Sequence, residues 1–565
     1  MFVKVTKANG SQYIQIVSSY RENGQTRHKV LFNLGRMDVL TANPGIHRVI
    51  QRLAQITQTP LTQGPSEQPS EGTGIIGLCE GEDGAEVRNW GYLVYLTLWK
   101  QFEMPEVLER IQQRHCRMSL PLNQTSFTMA LQRVLAPCSK LKTYEKQGDY
   151  LHLPGAELHQ MYRALDVLAD AKEEIEQHLF ERNRTLYNMQ VDVVFYDVTT
   201  FYFESVDEDE LRGFGFSKDN KVNQVQVVMG LLIDQEGRPI GYELFSGSTF
   251  DGKTLEAMLE KLEKRFGIKR VILVADRGIN SKLNLKALKE RGYGYIMASR
   301  LKSMGAEIKE RVFAPEGYES MNSQDGLEFR YKTLDYSNRV KLEDGQWCVL
   351  PEKIIATYSE ERAQKDRQDR ERLIEKANRL LSSPAAIRSG NKRGGKRYLK
   401  EVGKPEACWR LDEEAIRADE SWDGYYGIQT SEGELSARSV LEAYHTLWRI
   451  EDCFRLMKTT METRPIFHWT PRRIRGHFMT CFLAFQIERA LEIRLRNNGN
   501  TLSPEAIRSA ILSMRCAQCM LGEESAWIKL KQNKEAGAIL RLMHIPQLKN
   551  IVLNDELHAL GFPVL

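Results

Sequence analysis

The chain has 565 residues, 42% of them hydrophobic and 27% charged, with a formal net charge of +4. That length exceeds one compact domain, and the composition is that of a globular protein of roughly two to four domains. The mild charge neither demands nor excludes nucleic acid, so any basic surface has to be local.

No apolar run approaches the roughly 18 residues of a membrane span, and the N-terminal MFVKVTKANG carries no apolar signal segment. Both features predict a cytoplasmic protein with no membrane partner. Nine cysteines are scattered, and only Cys516 and Cys519 form a C-x-x-C. With no second ligand pair nearby, they read as reduced core thiols rather than a zinc site.

In chain order, residues 1–56 carry short strand-like runs (YIQIVSSY, KVLFNLG) around the turn signal ENGQ, which predicts a β-hairpin module. Residues 57–75 are rich in Pro, Gly, Ser, Thr and Gln and read as a linker. Helical spacing dominates 76–187, a candidate DNA-end-binding region.

From 188 to 300 the character changes. The strand VDVVFYDVTTFYF is followed by two apolar runs flanking DQEG, a hairpin signal. Next come an amphipathic helix at 251–267 ended by Gly267, the buried strand RVILVADRG, a helix near 281–291 and the strand GYGYIMASR. The order strand, hairpin, helix, strand, helix, strand predicts an α/β, RNase H-like (retroviral-integrase-like) catalytic core.

Residues 301–435 hold strand-like pieces (LEFRYKTL, QWCVL, KIIATYS), a charged helix at 360–381 and the basic turn 392-KRGGKR-397. They read as a β-rich insertion. Helical pattern resumes over 436–458, so 436–495 supplies the last part of the core and 496–565 a C-terminal helical region.

Three carboxylates stand out. Asp197 interrupts the first core strand, where an unpaired charge is costly. Asp276 ends a later strand, where functional crevices of open α/β sheets lie. Glu451 sits on the helix that follows the insertion. Oxygen ligands from separated segments suit Mg²⁺ or Mn²⁺, and two such ions roughly 4 Å apart serve phosphodiester chemistry.

Taken singly, each carboxylate also fits a structural role. Asp197 suits a local bond to Thr199 or Thr200, Asp276 a pair with Arg277, and Glu451 a helix charge beside Arg449 or Arg455. Asp192 falls on the opposite face of the strand from Asp197, and Asp251 reads as a helix cap.

Downstream, 463-TRPIFHWTPRRIRGH-477 packs four Arg, two His and a Trp into fifteen residues. Arg464, Arg472 and Arg473 are thereby candidates for DNA-phosphate contact.

The helix around Glu451 resembles the Y-(2)-R-(3)-E-(6)-K signature of bacterial insertion-sequence DDE transposases with an inserted β-domain. Tyr444, Glu451 and Lys458 fall on its Tyr, Glu and Lys, while Leu447 stands where the signature has Arg. That departure leaves one phosphate contact to be supplied by Arg449 or Arg455. YDVTTFYFES, GYELFSGSTFDGKTL and VADRG resemble the first two acidic motifs of the family.

The resemblance implies a DNA transposase that binds the ends of an insertion sequence, cleaves them by metal-dependent hydrolysis and transfers the 3′-OH ends to target DNA. Its triad is Asp197, Asp276 and Glu451, its cofactor Mg²⁺ with Mn²⁺ able to substitute. Its partners are the terminal inverted repeats and target DNA, and it is a homodimer in the synaptic complex. Tyr444, Arg455 and Lys458 would lie at the DNA, and Trp422 would stack on a displaced base, as an inserted-domain Trp does in hairpin-forming relatives. The alternatives are an RNase H-like nuclease without strand transfer and a non-catalytic DNA-binding descendant.

Overall fold

In the computed structural model the described residues are 2–559 and 562, apart from 9–10, 23–24, 42–75, 79, 82–83, 116–119, 216–222, 323–327, 342–344, 383–386, 388–393, 403–407 and 522–523. The candidate linker 57–75 lies outside them, as do the first two residues of the KRGGKR turn.

The N-terminal segment forms a three-stranded antiparallel sheet of β1 (Phe2–Ala8), β2 (Ser11–Glu22) and β3 (Gln25–Arg36), one strand more than the hairpin expected. Beyond a short helix at Met37–Thr41, the described residues up to Tyr187 hold α1 (Leu93–Gln101), α2 (Met104–His115), α3 (Leu122–Leu135), α4 (Lys140–Lys146), α5 (Leu158–Asp170) and α6 (Lys172–Tyr187).

The catalytic half is built on β4 (Val193–Tyr202), β5 (Gln226–Ile233), β6 (Pro239–Ser246), α7 (Thr254–Phe266), β7 (Ile272–Ala275), α8 (Lys282–Glu290) and β8 (Gly294–Ala298). The turn joining β5 to β6 is set by Asp234, whose Oδ1 accepts from Glu236 N at 2.9 Å and Arg238 N at 2.7 Å, with Gly237 at φ +89°. Gly267 ends α7 in the left-handed region at φ +63°, as expected of a C-terminal glycine.

The strand order is β6-β5-β4-β7-β8, with β4, β7 and β8 parallel and β5 antiparallel to both β4 and β6. That arrangement is the RNase H-like one. Alternation sorts the side chains of β4: Val194, Tyr196 and Val198 pack with Leu255, Leu259 and Leu285 of α7 and α8 on one face, while Phe195 and Phe201 belong to the core of the other face.

The insertion does not stand apart from this sheet. Its strands β9 (Glu319–Asn322), β10 (Glu328–Lys341), β11 (Trp347–Tyr358) and β12 (Tyr425–Thr430) extend the sheet beyond β8 in the order β12-β11-β10-β9. The two pieces QWCVL and KIIATYS form the single strand β11. The charged helix α9 (Glu360–Leu381) covers the residues expected and starts on Ser359, whose Oγ accepts from Arg362 N.

After the insertion come α10 (Ala437–His445), α11 (Trp448–Arg455) and the long α12 (Pro471–Asn497). α12 begins with Thr470 as N-cap and Pro471 in its first turn. It is buried along most of its length, and it passes α5 so closely that a Cβ on Gly476 would lie 2.0 Å from the Leu165 carbonyl oxygen. The chain's two ends meet: strands Ile76–Leu78 and Val87–Asn89 both pair with Arg515–Leu521, which carries Cys516 and Cys519 as buried free thiols.

Candidate active site

Asp197 lies within β4, half-buried, with Oδ1 accepting from the Val198 backbone N at 2.7 Å. In the parallel β4–β7 ladder Tyr196 registers with Ala275, so Asp197 within β4 sits beside Asp276, the residue just past β7. Alternation puts both on the face of Phe195 and Val274. The same face carries α11 through Ile450, Cys453 and Phe454.

Glu451 is exposed on α11, and its carboxylate makes no hydrogen bond or ion pair among the described residues. The structural roles open to two of the three acids are not the ones seen. Arg277 lies over the Tyr426 ring rather than on Asp276. Arg449 donates to the Gln235 carbonyl and Arg455 to Asp452, so neither meets Glu451.

Asp276 is instead approached by Tyr444, whose hydroxyl is 3.5 Å from Oδ1, the long end of hydrogen-bond range. Tyr444 is 2.7 Å from the Tyr426 hydroxyl. Burial first, then the Tyr426 hydroxyl, hold the Tyr444 phenol protonated and hence a donor.

The signature stretch is not the single regular helix expected over 436–458. Between α10 and α11 the turn tightens, with Leu447 N bonded to Tyr444 O at 3.0 Å and Ile450 N to Leu447 O at 3.1 Å. Past α11, Leu456–Thr460 widens into a π turn. Regular winding therefore does not carry Tyr444 and Lys458 onto one face with Glu451. Each arrives by its own contact: Tyr444 at Asp276, and Lys458 Nζ 5.5 Å from the Phe201 ring centre on β4.

Leu447 is 7% exposed and packs in the main core. Asp452 fastens α11 to α12 through Arg489 at 3.0 Å. Burial opposes its charge, yet Arg455 and Arg489 keep its carboxyl below the usual range.

Asp251 does not cap α7. The N-cap position is Lys253, without a side-chain cap bond, and Asp251 opens a 3₁₀ turn ahead of it. The Asp251 carboxylate instead lies against the loop after Asp276, 3.7 Å from where a Gly278 Cβ would stand.

The basic segment runs along the end of β4: Ile466 bridges Phe203, and Arg464 lies 5.4 Å over the Tyr202 ring. Arg472 pairs with Asp170, its Nε 3.1 Å from Oδ1, and Arg473 is 3.7 Å from Asp166. Both face carboxylates of α5. Trp422 is 8% exposed, its ring 4.5 Å from Phe313 in the core of the insertion. It also helps line a cavity of about 160 Å³ with Arg277, Ser299, Arg300, Lys302 and Tyr426.

Three carboxylates on separate elements are a hard, oxygen-only donor set. Glu451 is unengaged and Asp276 holds only a long contact to Tyr444, which fits acids kept for a cation. Among the described residues, no group of three His, Cys, Asp or Glu is drawn together closely enough to hold a metal ion.

The order β6-β5-β4-β7-β8 with its flanking helices is an RNase H-like core, with Asp197 within β4 and Asp276 just past β7. The chain belongs to the DDE transposase family: the family model described as transposase DDE domain matches residues 190–487, more than half of the chain. The model for the N-terminal domain of IS1634 family transposases matches residues 2–65.

No curated protein matches the chain. Among solved structures it is similar to a piggyBac transposase synaptic complex with hairpin DNA, at 10% identity over 75% of this chain and 80% of that one, with a TM-score of 0.35. It is also similar to a pre-cleavage Mos1 transpososome, at 13% identity over 30% of this chain and 58% of that one, with a TM-score of 0.14. None of the helices among the described residues is long and apolar enough to cross a membrane.

Proposed function

We propose that this transposase binds the ends of an insertion sequence, cuts them by phosphodiester hydrolysis and transfers the freed 3′-OH ends to target DNA, acting in the cytoplasm as a homodimer on two ends. Asp197, Asp276 and Glu451 are its triad and would hold Mg²⁺, with Mn²⁺ able to substitute. When bound, the metal pair lowers the pKa of an attacking water or hydroxyl and stabilises the leaving oxygen. The observation that carries this reading is the adjacency of Asp197 and Asp276, each one residue beyond the Tyr196–Ala275 register of two parallel strands, on the face that bears Glu451's helix.

The protein's own part is positioning. Tyr444 orients the Asp276 carboxylate from one side. Lys458 and Arg464, lying over β4 aromatics, would meet DNA phosphates. Arg455, Arg472 and Arg473 are exposed and face carboxylates that DNA phosphates would have to displace. Trp422 would stack on a displaced base entering the cavity that it lines with Arg277.

The test uses duplexes copied from the DNA that flanks the gene. Asp197→Ala, Asp276→Ala and Glu451→Ala should each abolish nicking in Mn²⁺ while leaving duplex binding intact. Ordinary cutting by any one of them would sink the triad.

A further inference from the structure

The signature arginine is missing, and the residue in its place, Leu447, is buried in the core. Neither nearby arginine replaces it, because Arg449 is turned to the β5–β6 turn and Arg455 to Asp452. Two other arginines, both outside the signature, meet at the Tyr426 ring. The Arg277 guanidinium carbon is 5.9 Å from the centre of the Tyr426 ring, and that of Arg362, in the first turn of α9, is 4.3 Å from it. Tyr426 touches Tyr444, and Tyr444 touches Asp276.

We propose that Arg277 and Arg362 form a phosphate-binding pair for the DNA strand at the triad, supplying from the core loop and the insertion the cation that Leu447 omits. This rests on the transposase reading above. Arg277 is exposed and makes no ion pair among the described residues. Its loop is held by Arg300, which donates to the Arg277 carbonyl at 3.2 Å.

Arg362 is 42% exposed and stands 3.7 Å from Asp366 Oδ2, an oxygen that also accepts from Gly424 N at 3.2 Å. Its one carboxylate neighbour is thus shared with the backbone and too distant for a hydrogen bond. A guanidinium resting against a tyrosine ring keeps N–H groups free of it, and a planar guanidinium can grip a phosphodiester with two bonds. The insertion would then be part of the active site and not only an addition to the sheet.

The experiment scans single neutral methylphosphonates across the cut end of the flanking duplex, in wild type, Arg277→Ala, Arg362→Ala and Arg362→Lys. One phosphate position should cost the wild type about tenfold in cutting rate, as expected for a charge-assisted bond. That same position should cost the alanine variants nothing further, the signature of a direct pair. Arg362→Lys should recover the salt dependence, which in Arg362→Ala is shallower by about one. Equal methylphosphonate penalties in all four proteins, with wild-type cutting intact, overturn the arginine pair alone. Absence of cutting by the wild type overturns it together with the reading it rests on.

Discussion

Asp197 and Asp276 are neighbours across a parallel strand pair, each one residue beyond the Tyr196–Ala275 register. Nearly eighty residues of hairpin, helix and loop separate them in sequence. Parallel pairing sets Asp276, just past the end of β7, beside Asp197 within β4. Two anions at that spacing repel unless a cation or hydrogen bonds offset them.

Tyr444→Phe removes the one side-chain hydroxyl near Asp276 while keeping the ring that packs on Tyr426. The lost bond to a charged acceptor is long, so its value is near 1 kcal/mol. Cutting should slow roughly fivefold, and the Mn²⁺ concentration for half-maximal rate should rise. An unchanged rate and metal requirement would show that the tyrosine does not orient Asp276.

Lys458→Ala should weaken binding to the flanking duplex and reduce the slope of log K against log salt by about one. Arg472→Ala, whose partner is Asp170, should change that slope less. Equal slopes for wild type and the Lys458 variant would remove Lys458 from the DNA surface.

Glu488 is fully buried beneath the Tyr95 hydroxyl, and burial, with Glu492 adding to it, pushes its carboxyl up to about 8. The folded state therefore holds a proton that the unfolded chain releases near the ordinary Glu value of about 4.3. Stability from this group is complete below that value and is lost as pH rises toward 8, at up to about 1.4 kcal/mol per pH unit. Glu488→Gln should flatten this fall and be more stable than wild type at pH 8.5, by denaturant unfolding at pH 5.5 and 8.5. Parallel pH profiles for the two proteins would refute it.

Gly476→Ala tests the α5–α12 crossing. Alanine is favoured in helices by roughly 1 kcal/mol, but here the added methyl meets the Leu165 backbone at 2.0 Å, which cannot yield like a side chain. Overpacking of that kind costs about 1–3 kcal/mol. The variant should melt lower than wild type; a higher melting temperature would show that the helices separate freely.

Local pattern determined a good deal of this protein. The Val- and Phe-rich period of β4, the Asp234–Gly237 turn, the bounds of α9 and the glycine stop of α7 all follow from residues within a few positions of one another. Asp197 and Asp276 stand out in the sequence because a carboxylate in or at the end of an apolar strand is anomalous in its immediate context, whereas Glu451, on a helix, is marked only by the signature around it.

Only tertiary structure decided the rest. The insertion joins the catalytic sheet through pairing of β8 with β12, and strands from both ends of the chain pair with each other; no short-range signal encodes such partners. The 3₁₀ and π distortions around Glu451 arise where α11 is fitted between β4 and α12, overriding the seven-residue spacing that reads as one helical face. The gathering of Arg277 and Arg362 on Tyr426 depends on three segments far apart in sequence. Side chains are chosen by near neighbours along the chain, but charges are partnered by whatever the packed fold brings within a few ångströms.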